Sequence, residues 1–220
     1  MTLRPAHAGF FVSCYTAIAM DKIIIGLVGE AAAGKGTVAN YLVGKYGAKT
    51  FAFSTAMKDC VKRLHLPLSR EVIAKFSTLT RAAYGEDLYA KVVAEDCQSA
   101  DADMLVVDGI RLEADMGELK KLPGFHLLYV TAPVEIRWQR ARSRGEKAGE
   151  SEMSLEDFKK EELLPTELAI RAIGARAEFT VDNSGKMDEL FTSTESIVEY
   201  LKAGDFTHPH PHRNAIHPTL

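Results

Sequence analysis

The sequence predicts an α/β protein: a five-stranded parallel sheet with helices on both faces and one small insert. Three observations carry this. Five short runs at 23–28, 49–53, 104–107, 125–130 and 178–181 have strand character and alternate with longer amphipathic stretches. Such alternation lays strands side by side and parallel, joined by right-handed helical crossovers. The first run, Ile-Ile-Ile-Gly-Leu-Val, has no polar break, as a strand covered on both faces requires. The chain has 220 residues, 46% of them hydrophobic, which is enough for one domain with a full core.

The first strand breaks at Gly29. Four residues follow, then Gly34-Lys35-Gly36-Thr37, then a helix over 37–46 with Val38, Tyr41, Leu42 and Tyr46 on one face. Strand, glycine-bounded loop, lysine and helix start, in that order, make a phosphate-binding loop. A polyphosphate needs many donors converging on one point, and loop amides together with a helix N-terminus supply them. Gly29 and Gly34 permit close approach, and Ala31, Ala32 and Ala33 are too small to fill the cradle. Lys35 brings a point charge to the β/γ phosphates, and Thr37 offers a hydroxyl to phosphate or Mg²⁺. Gly36 stands where Ser or Thr commonly follows the lysine, so residue 36 cannot ligate a metal and Mg²⁺ is held through water and phosphates.

The later elements follow from local signals. Ser54-Thr55 reads as the cap of a helix over 56–65 that Pro67 ends. Helices are expected over 70–76 and 85–96. The third strand ends at Asp108, and a helix over 113–122 stops at Pro123-Gly124. Pro133 suits the first turn of a helix running to Arg144. Ser154-Leu-Glu-Asp is a capping box for another helix, and the last helix covers 187–201. The insert 145–174 is charged and reads as a mobile flap. Residues 1–21 read as an extension, with Met20-Asp21-Lys22 as a natural start. Three His-Pro steps and few apolar residues make 203–220 a disordered tail, His208, His210 and His212 included.

Composition narrows the partners. A formal charge of -3 gives no electrostatic case for nucleic acid. No apolar run is long enough to cross a bilayer. Cys14, Cys60 and Cys97 are scattered and odd in number, which fits the cytoplasm and neither a disulfide frame nor a zinc site.

In an open α/β sheet, ligands bind beyond the carboxyl ends of the strands. Asp108 follows Leu105-Val106-Val107 directly and can join a Mg²⁺ shell or take a proton from an acceptor; a plain turn cap is the alternative. Arg111, three residues on, has a fork that suits phosphate, unless it is a surface residue. Arg137, Arg140 and Arg144 share a helix face, where like charges call for an anionic partner or for pairing with Glu135, Glu146 and Glu150. Trp138 reads as core or lid packing. Between the second and third strands, Ser54, Lys58 and Arg81 are the candidates to face an acceptor, with a helix cap as the alternative for Ser54.

With these residues in place, the chain resembles nucleoside monophosphate kinases of the P-loop phosphotransferase group. The resemblance is nearest to adenylate-kinase-like and dephospho-CoA-kinase-like proteins and to phage deoxynucleoside monophosphate kinases. It rests on the phosphate loop, Asp108-Gly-Ile-Arg111, Arg140-x-x-x-Arg144 and Asp182-Asn183-x-Gly185. It implies a three-layer P-loop NTPase fold over 22–202, an acceptor-binding segment at 54–96 and a lid at 145–174. The cofactors would be ATP and Mg²⁺. Gly29, Ala32, Ala33, Gly34, Lys35, Gly36 and Thr37 would hold the donor phosphates, Asn183 and Gly185 the adenine, and Thr37 and Asp108 the metal. Arg140 and Arg144 would clamp the moving phosphoryl group, with Asp108 and Arg111 between donor and acceptor. The expected reaction moves the γ-phosphoryl of ATP to a (deoxy)nucleoside monophosphate. The alternatives are a dephospho-CoA-kinase-like reaction with Asp108 as base, and a nucleotide-dependent regulatory ATPase. Nucleotide substrates are the expected partners, in a monomer or homodimer, without nucleic acid or membrane.

Overall fold

A computed structural model describes residues 22–145 and 149–214. The expectations for residues 1–21, Cys14 and Glu146 fall outside the described residues, as does the tail beyond 214. Five strands, β1 (Ile23–Val28), β2 (Lys49–Ala52), β3 (Met104–Asp108), β4 (Phe125–Thr131) and β5 (Phe179–Asp182), form one parallel sheet in the order β2-β3-β1-β4-β5. The central position of β1 matches its unbroken apolar run: Ile24 to Val28 are all buried. Ile24 pairs with Leu105 on one side and Phe125 on the other. The chain turns to β3 on one flank of β1 and to β4 on the other, so the strand order reverses around the carboxyl end of β1.

Strand alternation divides the core into two layers. Ile25, Leu27, Val106, Leu128 and Val130 meet Val38 and Leu42 of α1 (Lys35–Tyr46) and Leu190 and Ile197 of α9 (Met187–Ala203). Ile24, Val28, Leu105, Val107 and Leu127 face the other way. There they meet Phe53 and Met57 of α2 (Phe53–Arg63), Val93 of α4 (Leu88–Ser99), Met116 of α5 (Glu113–Leu119), and Ile170 and Ile173 of α8 (Pro165–Gly174). Each fully buried aliphatic side chain contributes about 1.5–3 kcal/mol relative to exposure.

Several local expectations are corrected. α2 begins at Phe53, one residue before Ser54, and no side-chain cap bond forms there. Burial of Phe53 in the core sets the first turn, so the capping role expected of Ser54 is absent. α3 (Arg70–Tyr84) runs eight residues past its expected end. Ser69 Oγ caps Val72 N at 3.2 Å, and the hydroxyls of Thr78 and Thr80 turn back to the carbonyls of Ala74 and Phe76 at 3.0 and 2.8 Å. Back-bonded in this way, the threonines spend their hydroxyls on carbonyls of the same helix, an arrangement that leaves the helix formed at a slight cost. Pro133 is the residue before the first turn of α6 (Val134–Arg144) and lies outside it.

The insert is divided. A 3₁₀ turn (Glu150–Glu152) and α7 (Leu155–Glu161) sit over α6, with Ser154 capping α7 as its sequence indicates. α8, expected to lie in the same flap, instead packs Ile170 and Ile173 into the sheet layer. The tail expectation is also corrected as far as 214. Thr180 N donates to His212 O at 2.9 Å and Asn214 N to Glu178 O at 2.8 Å, in an antiparallel bridge beside β5. Phe206 and His210 pack on Tyr200 with ring centroids 5.4 and 4.9 Å apart. β5 is an edge strand, and the tail pairs with its main chain at Thr180 and with Glu178 just before it. Among the described residues, no helix is long and apolar enough to cross a membrane.

Candidate active site

The loop after β1 is pinned from two sides. A side chain at Gly29 would put its Cβ 2.1 Å from Val130 O on β4, so only glycine fits against that strand. Gly34 sits at φ 108°, and a Cβ there would fall 2.2 Å from Asn183 Nδ2. Ala32 adopts φ 58° despite its methyl group, a strain of order 1–3 kcal/mol that the surrounding loop must hold. α1 starts at Lys35, two residues earlier than the sequence suggests, with Gly34 as its N-cap. Its first turn has no acidic residue and no side-chain cap, so its leading amides and dipole are open to an anion.

Lys35 lies at this junction. Its Nζ turns back to donate to the carbonyls of Gly29 at 2.6 Å and Glu30 at 3.0 Å. Burial holds its proton affinity below the usual lysine range, opposed by Asp108 and assisted by Arg111. Thr37 follows within the first turn and is half-buried; Gly36 is exposed, and a Cβ there would meet nothing. Ala33 is fully buried under the loop.

Asp108 ends β3, and its Oδ1 accepts from Gly109 N at 2.8 Å. Arg111 is exposed just beyond. Asn183, at the end of β5, is buried and acts as a strut. Its Nδ2 donates to Ala33 O at 2.8 Å, its N to Thr131 O at 2.7 Å, and its carbonyl accepts from Arg140 Nη2 at 2.9 Å. The Asn183 main chain is therefore already occupied, and its side chain braces the phosphate loop. Gly185 lies against Glu189, one of two acidic residues in the α9 first turn. Arg140 keeps Nη1 buried without a hydrogen-bond partner among the described residues.

The expected ladder of arginines on α6 is split. Arg137 is buried, ion-paired with Glu162, and donates Nε to Ala132 O at 2.8 Å. Arg144 pairs with the buried Glu150 at 3.2 Å. Trp138 donates to Met153 O at 2.8 Å, which ties α6 to the insert. Arg81, expected to face an acceptor, is instead internal. It is 9% exposed, pairs with Asp115 at 2.9 Å, donates to Glu86 O and lies 5.2 Å from the Tyr89 ring centroid. Asp115 also accepts from the amides of Arg111 and Leu112 at 3.0 and 2.9 Å, so the pair locks α3 to the start of α5. Ser54 is half-buried and Lys58 exposed on α2.

Sequence reasoning missed Glu30 as more than a loop residue. Its side chain is 5% exposed and accepts from Tyr129 Oη at 2.6 Å. Tyr129 is pushed up to about 12, first by burial and then by that bond. An acid inside a glycine-bounded loop that otherwise reads as an anion cradle was the visible signal.

A family model described as an AAA domain matches residues 28–159, more than half of the chain. The chain belongs to this AAA domain family. Relatives of this AAA domain protein include a UPF0200 protein of Staphylothermus marinus, 25% identical over 182 residues that cover 83% of this chain and 94% of that protein. Another, from Saccharolobus islandicus, is 28% identical over 190 residues, covering 83% and 96%. Two solved structures share the fold. The Acinetobacter baumannii shikimate kinase has a TM-score of 0.50 at 18% identity, covering 86% of this chain and 97% of that one. TT1252 of Thermus thermophilus has a TM-score of 0.52 at 20% identity, covering 82% and 98%. The AAA domain here thus has a P-loop kinase-like, three-layer α/β fold.

Proposed function

We propose that this protein moves the γ-phosphoryl group of ATP to a nucleotide-like acceptor, a (deoxy)nucleoside monophosphate. The observation that carries the proposal is Lys35: a half-buried ammonium on loop carbonyls, at the head of an uncapped helix, with Asp108 and Arg111 near enough to act on its charge. Phosphoryl transfer asks mainly for positioning and charge neutralisation, and these residues supply both.

Lys35 exchanges the two carbonyls for phosphate oxygens. Arg140, with its unpartnered Nη1, and Arg144 approach the donor from α6. Asp108 and Arg111 lie between donor and acceptor. The segment 54–96, without the internal Arg81, contacts the acceptor through Ser54 and Lys58. Residues 22–202 form the kinase domain, and the lid is limited to 145–164, because α8 belongs to the core. Among the described residues no cluster of three or more His, Cys, Asp or Glu could cage a metal. Thr37 and Asp108 are oxygen donors of the kind Mg²⁺ accepts beside phosphates and water, and would hold it. When bound it neutralises phosphate charge.

The test is coupled ADP release over a panel of monophosphates, dephospho-CoA, shikimate and small alcohols. Acceptor-dependent release with a monophosphate, lost in Lys35→Met, is the expected result. Release with an alcohol alone would reassign the acceptor, and acceptor-independent hydrolysis would indicate a regulatory ATPase. No release under any condition would overturn the proposal.

A further inference from the structure

A row of charges joins the phosphate loop to the insert. Glu30 uses Oε1 for Tyr129, while its Oε2 is buried without a hydrogen-bond partner among the described residues. Among the described residues, the cation paired with it is Arg171 on α8, whose Nε lies 3.8 Å from Glu30 Oε1, beyond hydrogen-bond range. Arg171 spends its Nη2 on Glu162 at 2.6 Å. Glu162, in turn, pairs with Arg137 of α6. The guanidinium of Arg171 thus stands between two carboxylates, bonded to one and just short of the other. It is 36% exposed, so it has room to turn. α8 itself is fixed, with Ile170 and Ile173 in the core. Glu162 caps the end of α7, only three residues before α8.

A triphosphate in the loop changes the balance. Its negative charge draws Lys35 off the Glu30 carbonyl and adds repulsion on the Glu30 carboxylate, which has one oxygen unsatisfied. A cation nearby then gains more by serving Glu30 than by serving Glu162, which keeps Arg137. We propose that Arg171 is a two-position positioning residue: it holds Glu162 and the α7–α8 corner while the loop is empty, and turns to Glu30 when a nucleoside triphosphate fills the loop. Glu30 is the group that makes the switch respond to phosphate charge. The inference rests on the proposal that this loop binds ATP.

The test is a double-mutant cycle on the affinity of the non-hydrolysable analogue AMP-PNP with Mg²⁺, read by calorimetry. Glu162→Gln weakens the competing hold on Arg171, so it tightens binding by about three- to tenfold, within the usual coupling of neighbouring charged groups. In a Glu30→Gln background the same change has no effect on affinity. A second measurement follows the Nε–Hε NMR signal of Arg171, assigned by its loss in Arg171→Lys. The signal shifts on adding the analogue to the wild-type protein and stays in place in Glu30→Gln. Equal effects of Glu162→Gln in both backgrounds, or an identical shift in Glu30→Gln, would overturn the inference. A wild-type protein that binds no analogue is recognised at the first titration, and it overturns the ATP proposal together with this one.

Discussion

Gly34 and Asn183 are coupled, and a double-mutant cycle can measure how strongly. In Gly34→Ala the new Cβ is placed 2.2 Å from Asn183 Nδ2, on a backbone at φ 108°. Two costs arise. An alanine held at such a dihedral costs of order 1–3 kcal/mol. Displacing Asn183 breaks its 2.8 Å bond to Ala33 O and leaves a buried carbonyl unsatisfied, a further 1–3 kcal/mol or so. Against Asn183→Ala, the clashing atoms and the bond are already gone, so only the backbone cost remains. Gly34→Ala should therefore cost about 2–6 kcal/mol alone and about 1–3 kcal/mol in the Asn183→Ala background. The assay is urea unfolding by far-UV circular dichroism for the four proteins of the cycle. If the two costs agree within about 0.5 kcal/mol, as independent sites do, Asn183 does not brace the loop.

Three further outcomes are expected. Burial depresses the Lys35 proton affinity and phosphate favours the charged ammonium, so AMP-PNP affinity is full below the free-protein pKa of Lys35 and falls as pH rises through it; calorimetry in buffers of differing ionisation heat should show proton uptake in that window, and its absence would refute the placement of Lys35. Arg81→Ala strands Asp115 as a buried charge and should cost about 3–5 kcal/mol, lowering the melting temperature by on the order of 10 °C, whereas a shift under about 2 °C would mean that the pair is not internal. Truncation after Gly204 removes two main-chain bonds to the β5 edge, each about 1 kcal/mol, and the packing on Tyr200; the protein should stay folded but melt a few degrees lower, and an unchanged melting point would restore the disordered tail.

The sheet and the glycine-bounded loop after its first strand were legible in the sequence because each is written in local spacing. The run 23–28 needs burial on both faces, and Gly29 with Gly34-Lys35 marks the turn into α1. Element limits were less legible where a local signal met a tertiary one: Ser54 looks like a cap, but burial of Phe53 starts α2 earlier. The charged residues of the candidate site were legible as residues and not as roles. Arg81, Arg137 and Arg144 look alike in a one-dimensional list, yet each takes its role from the carboxylate the fold brings to it: Asp115, Glu162 and Glu150 respectively.

The sequence by itself determined the five strands and the glycine-bounded loop that follows the first of them, since periodicity and glycine placement act over a few residues. Tertiary structure alone decided that Asn183 supports Ala33 from 150 residues away, that Arg171 lies between Glu30 and Glu162, and that a His-Pro tail closes the edge of β5. Such pairings depend on distances in space, and a charge or an unpaired amide is satisfied by whichever partner the folded chain carries within about 3 Å.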